Sequence, residues 1–205
     1  HPSHLSAVLD KMREAGVRIE TGRNTLRVRP AKQLRSVDIT TMPHAGFPTD
    51  VQAQMMVLML KSPGISIITE RIFSDRWMHV PELERLGANV RRQNTAVVVR
   101  GVAELSGAPV TASDLRASAA LVMAGLVARG TTEVHRVYHI DRGYERIEDR
   151  LQRVRDYLGL GHREVHECRS HEVVDHGDGD VRDHLPRQRI ARPAPSPQLD
   201  GHELR

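Results

Sequence analysis

The stretch that decides the fold is His139-Ile140-Asp141-Arg142-Gly143-Tyr144-Glu145-Arg146-Ile147, set between a β-type run (132–138) and a helical run (144–157). A milder copy stands upstream, where Phe73-Ser74-Asp75-Arg76 follows the apolar run 65–68. Arg76 and Arg142 are 66 positions apart (142 minus 76), and each sits at the same point of a helix–strand–turn–helix pattern. Duplication at such a period signals stacked supersecondary units. Arginines repeated at one turn of each unit can converge on a single anion.

Outward from that pair, Leu5, Val8, Leu9 and Met12 mark a helix over residues 5–15, stopped by Gly16. Residues 17–19 and 25–28 then read as a hairpin around Gly22-Arg23-Asn24. Thr49 or Asp50 is placed to cap a helix over 51–60 that ends near Ser62-Pro63-Gly64. Residues 65–72 read as a buried strand and 80–86 as a short helix opened by Pro81. A second hairpin, 89–91 with 96–99, turns at Gln93-Asn94-Thr95 much as the first turns at Arg23-Asn24-Thr25. Ser113 is placed to cap a long helix, 115–128, that stops near Gly130. Asp50 and Asp114 thus occupy equivalent helix starts, 64 positions apart (114 minus 50). The recurring order is helix, strand, helix, hairpin, an α/β pattern that buries a sheet under one helical face.

Composition bounds what this pattern can be. With 205 residues the chain is one large domain, or one domain with a tail. A hydrophobic content of 39% supports a core, but 3% aromatic content leaves Leu, Val, Ile, Met and Ala to fill it. No run approaches the roughly 20 apolar residues that span a bilayer, and no basic-then-apolar leader is visible. The chain therefore reads as cytoplasmic, without a membrane partner. The single Cys168 excludes an internal disulfide framework. A start on His1 that runs almost at once into helical pattern suggests that the natural beginning lies upstream. The net charge of +4 comes from an excess of basic groups in residues 1–150, most of them arginine. Arginine suits a carboxylate or phosphate gripped by two oxygens. No Lys/Arg block and few stacking aromatics are present, which argues against a nucleic-acid partner. Apolar periodicity fades beyond Gly159, so residues 160–205 read as largely disordered.

Four segments carry a family resemblance: PTDVQAQ (48–54), ITERIFSDRWMHVPEL (68–83), LSGAPVTASDLRASAALVMAG (105–125) and TTEVHRVYHIDRGYERIEDRL (131–151). In this order they closely resemble the UDP-N-acetylglucosamine enolpyruvyl transferase family. The resemblance covers residues 1–151 and implies an α/β (α+β) fold of repeated βαβαββ units, an inside-out α/β barrel. It implies that 1–151 is most of one domain, from the C-terminal half of such an enzyme, incomplete at both ends. Residues 152–205 would be the end of the last helix and a divergent tail that lacks a closing strand. The missing N-terminal domain would carry a mobile-loop cysteine and a lysine-asparagine pair that grips phosphoenolpyruvate; Cys168 is not that cysteine.

By the same resemblance, the activity is transfer of a carboxyvinyl group from phosphoenolpyruvate to the 3-hydroxyl of UDP-N-acetylglucosamine, with loss of phosphate, in peptidoglycan synthesis. The fragment would be inactive alone. The shikimate-pathway enolpyruvyl transferase and a basic binding fragment are the alternatives. Asp50 matches a candidate general base, against plain helix capping. Arg116 and Arg142 match arginines that embrace phosphoenolpyruvate and departing phosphate. Arg76 matches a third cleft arginine, against ordinary surface ion pairs such as Asp141 or Glu145 with a neighbour. Arg116 stands in the first turn of its helix, where a cation opposes the helix dipole unless an anion lies nearby. Ile72 matches a main-chain contact to the uridine nucleotide, against a strand core residue. His139 lines the cleft or is structural, and Gly143 permits a sharp turn. His162, His166, Cys168, His171 and His176 fit no standard zinc spacing, so no metal or other cofactor is expected.

Overall fold

The structure is a computed structural model that describes residues 1–157 and two short strands beyond them, 165–168 and 187–190. A 3-10 turn, Pro2–Leu5, leads into α1 (Ser6–Glu14), and Gly16 then takes φ +94°. A Cβ at Gly16 would meet the Gln33 carbonyl oxygen at 2.7 Å, so both conformation and close approach require glycine. The antiparallel hairpin β1 (Arg18–Thr21) and β2 (Leu26–Arg29) follows, displaced by one or two residues from its expected limits.

The first complete unit runs β3 (Ile39–Thr40), α2 (Gln52–Leu60), β4 (Ile65–Thr69), α3 (His79–Arg85), β5 (Asn89–Gln93) and β6 (Ala96–Arg100). Its sheet order is β3-β4-β6-β5, with β3 and β4 parallel and the other pairings antiparallel. A parallel pair needs a crossover, and α2 supplies it. β7 (Leu105–Ser106) pairs with β9 (Ala128–Arg129) beside a second unit. That unit runs β8 (Pro109–Thr111), α4 (Leu115–Val127), β10 (Thr132–His135), α5 (Tyr138–Asp141), α6 (Ile147–Tyr157), β11 (Val165–Cys168) and β12 (Arg187–Ile190). Its order, β8-β10-β12-β11, repeats the first with the same parallel and antiparallel pairings. The expected βαβαββ repeat is therefore present twice.

Three expectations change. The tail was expected to be disordered and to lack a closing strand, yet β12 pairs with β10 and β11 with β12. The exposed edge of β10 has unmet backbone groups that a partner strand satisfies; the rest of the tail lies outside the described residues. Residues 65–72 were expected to form one buried strand. β4 instead ends at Thr69, and Ile65 and Ile67 stay 48% and 45% exposed, because the sheet is covered on one face only. The run 132–138 likewise gives way to α5 at Tyr138.

Helices α2 and α4 lie inside, beneath sheets that are open on their other face. In α2, Met55, Met56, Met59 and Leu60 are buried, and the helix packs on α4, where Ala117, Ala119, Ala120 and Leu121 are buried. Long unbranched side chains of one helix thus fill what the alanines of the other leave open. One contiguous core reaches from Ala15 through both units to Ile140. No helix among the described residues is long and apolar enough to cross a membrane.

Candidate active site

The two long helices begin side by side but in different ways. Before α2, Pro48 (φ −75°, ψ 137°) opens a 3-10 turn, Thr49–Val51, and neither Thr49 nor Asp50 caps the helix as expected. Before α4, Asp114 is extended (φ −152°, ψ 171°), and its carboxylate accepts from the backbone N–H of Arg116 (2.7 Å) and Ala117 (3.0 Å). The cap is Asp114 rather than the expected Ser113, because the extended backbone of Asp114 presents its oxygen to the first free amides.

Relieved of capping, the Asp50 side chain is 63% exposed and accepts from Arg116 Nε at 2.5 Å. Arg76 Nη1 stands 3.5 Å from the same oxygen, Oδ1. Among the described residues, no hydrogen bond or ion pair falls on Asp50 Oδ2. Arg76 is held further by Thr49, whose Oγ1 accepts from its Nη1 at 2.9 Å, and by the Phe73 ring 4.0 Å beneath its guanidinium. One carboxylate of the first unit is thus gripped by an arginine from each unit. The neighbouring Asp75 pairs with Arg92 at 2.9 Å rather than with Arg76, so the recurring Asp-Arg dipeptide is not a local ion pair.

The remaining expected residues fall elsewhere. Arg142 follows α5 as its C-cap, is exposed, and its side chain makes no hydrogen bond or ion pair among the described residues. Glu145 pairs with Arg150 at 3.4 Å, and Arg146 with Asp149 at 2.6 Å. Ile72 is half-buried in the turn after β4, not in the strand, and its N–H donates to Glu70. His139 stacks 4.2 Å from Tyr138, and its Nε2 has no partner. Gly143 does not take a positive φ; a Cβ there would crowd the Leu115 side chain, 2.5 Å from its Cδ1, and push it aside.

Sequence reading missed Glu70 and His79. Glu70 is 1% exposed and accepts four hydrogen bonds, from the hydroxyls of Thr41 and Thr49 and the N–H groups of Ile72 and Phe73. Burial pushes its carboxyl up, but these bonds outweigh burial and hold it below the usual range. His79, 1% exposed, is pushed down to about 4 by burial, against the opposing pull of the Asp114 carboxylate. The available signal was an acid directly after an apolar strand, which is expensive to bury unless its bonds are made. An apolar groove of about 710 Å³ between Met12, Val28, Leu34, Leu58 and Val154 shares no residue with the Asp50 cluster.

A solvent-facing carboxylate with one free oxygen, clamped by fixed cations, suits proton transfer beside a bound anion. The chain is 55% identical over 153 residues to a UDP-N-acetylglucosamine 1-carboxyvinyltransferase of Desulfosudis oleivorans, covering 75% of this chain and 37% of the relative. It is 58% identical over 151 residues to the enzyme so named in Bdellovibrio bacteriovorus, covering 73% and 36%. For Myxococcus xanthus the figures are 57% over 150 residues, 73% and 36%. The chain thus spans little more than a third of the length of these relatives. Among solved structures, the enolpyruvyl transferase NikO from Streptomyces tendae superposes with a TM-score of 0.62 at 31% identity, over 77% of this chain and 35% of that one. A family profile described as EPSP synthase (3-phosphoshikimate 1-carboxyvinyltransferase) matches residues 1–151, and the chain belongs to that family of carboxyvinyl transferases.

Proposed function

We propose that this chain forms one face of a site that moves the enolpyruvyl group of phosphoenolpyruvate onto the 3-hydroxyl of UDP-N-acetylglucosamine and releases phosphate. This is the committed step toward peptidoglycan in the bacterial cytoplasm. The observation that carries the reading is the Asp50 carboxylate held by Arg116 and Arg76, with Oδ2 left open. Asp50 Oδ2 is the atom to receive the sugar hydroxyl proton as that oxygen adds to C2 of the enol while C3 takes up a proton from an acid of the opposing face, and C3 gives a proton back in the elimination. Phosphate then leaves as the enol double bond reforms. Arg116 and Arg142 serve the phosphoenolpyruvate and the departing phosphate, Arg76 the cleft, and the Ile72 main chain the uridine nucleotide. Fixed cations aimed at developing charge are usually the largest electrostatic contribution in such sites. The sugar nucleotide is preferred to shikimate 3-phosphate because relatives at 55–58% identity carry the sugar-nucleotide name.

The opposing face is assigned to an N-terminal domain such as those relatives have. The chain is mixed with the remaining two thirds of the Bdellovibrio relative, and phosphate release is followed with each acceptor. Release that needs both parts, phosphoenolpyruvate and UDP-N-acetylglucosamine is expected. Robust release by the lone chain, or a preference for shikimate 3-phosphate, would overturn the reading.

A further inference from the structure

Glu70 is a buried carboxylate for which the roles above have no use, and its surroundings fix the direction of every proton around it. Oε1 accepts from the Thr41 hydroxyl (2.6 Å), Ile72 N–H (2.8 Å) and Phe73 N–H (3.1 Å). Oε2 accepts from the Thr49 hydroxyl at 2.8 Å, and that hydroxyl oxygen accepts from Arg76 Nη1 at 2.9 Å. A carboxylate only accepts and a guanidinium only donates, so the single Thr49 proton must point at Glu70 and a lone pair at Arg76. We propose that Glu70 is a positioning residue: through Thr49 it holds the Arg76 guanidinium beside Asp50, and through the Ile72 and Phe73 amides it sets the main chain that faces the nucleotide. The inference rests on the proposed function for what Arg76 and Ile72 meet, but the relay itself does not.

The second unit shows what happens without such an acid. Sixty-six positions on (136 minus 70) stands Arg136, exposed and at φ +59°. The counterpart of Thr49, 64 positions on (113 minus 49), is Ser113, whose hydroxyl oxygen is buried with no partner among the described residues. With no carboxylate to orient it, the hydroxyl relays nothing, and Arg142 stands without a hydrogen bond or ion pair among the described residues. Chains of hydrogen bonds anchored on a charge strengthen one another, so the first unit can hold an arginine rigidly where the second does not.

A glutamine at 70 keeps the shape but breaks the relay. With its oxygen placed toward the Ile72 and Phe73 amides, its NH₂ donates to Thr49 and turns the Thr49 proton toward a guanidinium that cannot accept it. The test is ¹⁵N NMR of the Arg76 guanidinium in this chain, assigned with Arg76→Lys. Glu70→Gln and Thr49→Val should each speed exchange of the Arg76 Nη protons at least about tenfold. Their double variant should go no further than either single one, because both cut one chain of bonds. Thr49→Ser should restore the wild-type signal. Unchanged Arg76 signals in folded Glu70→Gln, or additive losses, would overturn the relay. If Glu70→Gln does not fold, Thr49→Val against Thr49→Ser decides alone: equal signals overturn it. Phosphoenolpyruvate and UDP-N-acetylglucosamine added to the reconstituted mixture read the functional proposal separately. An intact relay with no response to either ligand would remove that proposal and leave the relay standing.

Discussion

In the first unit the aspartate at the start of the central helix, Asp50, turns outward onto two guanidiniums; in the second its counterpart, Asp114, turns inward onto two amides. Of the two segments, FPTDVQ and TASDLR, the aspartate alone is shared, and Pro48 stands where the second has Ala112. What separates them is one step of backbone. An extended residue at the helix boundary can cap, and Asp114 is extended. Asp50 instead sits inside a 3-10 turn opened by Pro48, past the boundary, where its oxygens cannot reach the free amides. The strand ends diverge in the same way, with Glu70 buried and bonded in one unit and Arg136 exposed in the other. A duplicated scaffold therefore supplies equivalent positions, and the local turn decides whether each caps a helix or faces outward onto cations.

The sharpest way to break this contrast is to neutralise each aspartate in turn. In the reconstituted enzyme Asp50→Asn should lower turnover by about 10²–10⁴-fold, the usual worth of a placed proton acceptor, measured as phosphate release. A near-wild-type rate would return Asp50 to an ordinary surface role. Arg116→Ala should cost about 3 kcal/mol of transition-state stabilisation, by analogy with loss of one oxyanion donor. A loss under ~1 kcal/mol in kcat/KM would mark the Asp50 pair as a surface salt bridge.

Acid should strike the first unit through His79, whose counterpart in the second, Glu145 (145 minus 79 is 66), is exposed. Burial lowers the folded-state value from 6.5 to about 4. The unfolded chain therefore binds the proton more readily between those values. The contribution is fully present above pH 6.5 and is lost as pH falls through about 4, roughly 3 kcal/mol over the window. Urea unfolding from pH 7 to 4 should show this slope in the native chain and a flatter one in His79→Phe; parallel slopes would exclude His79 as its source. The smallest effect sharpens the capping contrast. Asp114→Ala should cost about 1 kcal/mol of stability and Asp50→Ala almost none, and equal costs by thermal unfolding would erase the distinction.

Much of this arrangement was legible in the sequence. The 66-residue spacing of the Asp-Arg pairs located two units, and the runs 51–60 and 115–128 gave the two interior helices nearly to the residue. Asp50, Arg76, Arg116 and Arg142 were expected around one pocket; Asp50 lies between Arg76 and Arg116, while Arg142 makes no hydrogen bond or ion pair with them among the described residues. What stayed hidden rests on partners distant along the chain. β3, β7 and β9 are two residues each, too short for any alternation, and exist only because another strand lies alongside. β11 and β12 carry apolar residues only at isolated positions. Glu70 is defined by Thr41 and Thr49, 29 and 21 positions away, which no local pattern announces. The exchange of Ser113 for Asp114 as the cap turned on a backbone angle, and both residue types are favoured caps.

The Asp50 cluster also has a consequence for ionic strength. Arg76 and Arg116 carry two positive charges, and Asp50 with the buried Glu70 carboxylate carries two negative ones, so the group is balanced within itself. Added salt shortens the Debye length from about 8 Å at physiological ionic strength and screens exposed charges far more than buried ones. Raised salt should therefore loosen the outer Asp50–Arg116 contact while the inner Glu70–Thr49 anchor stays in place.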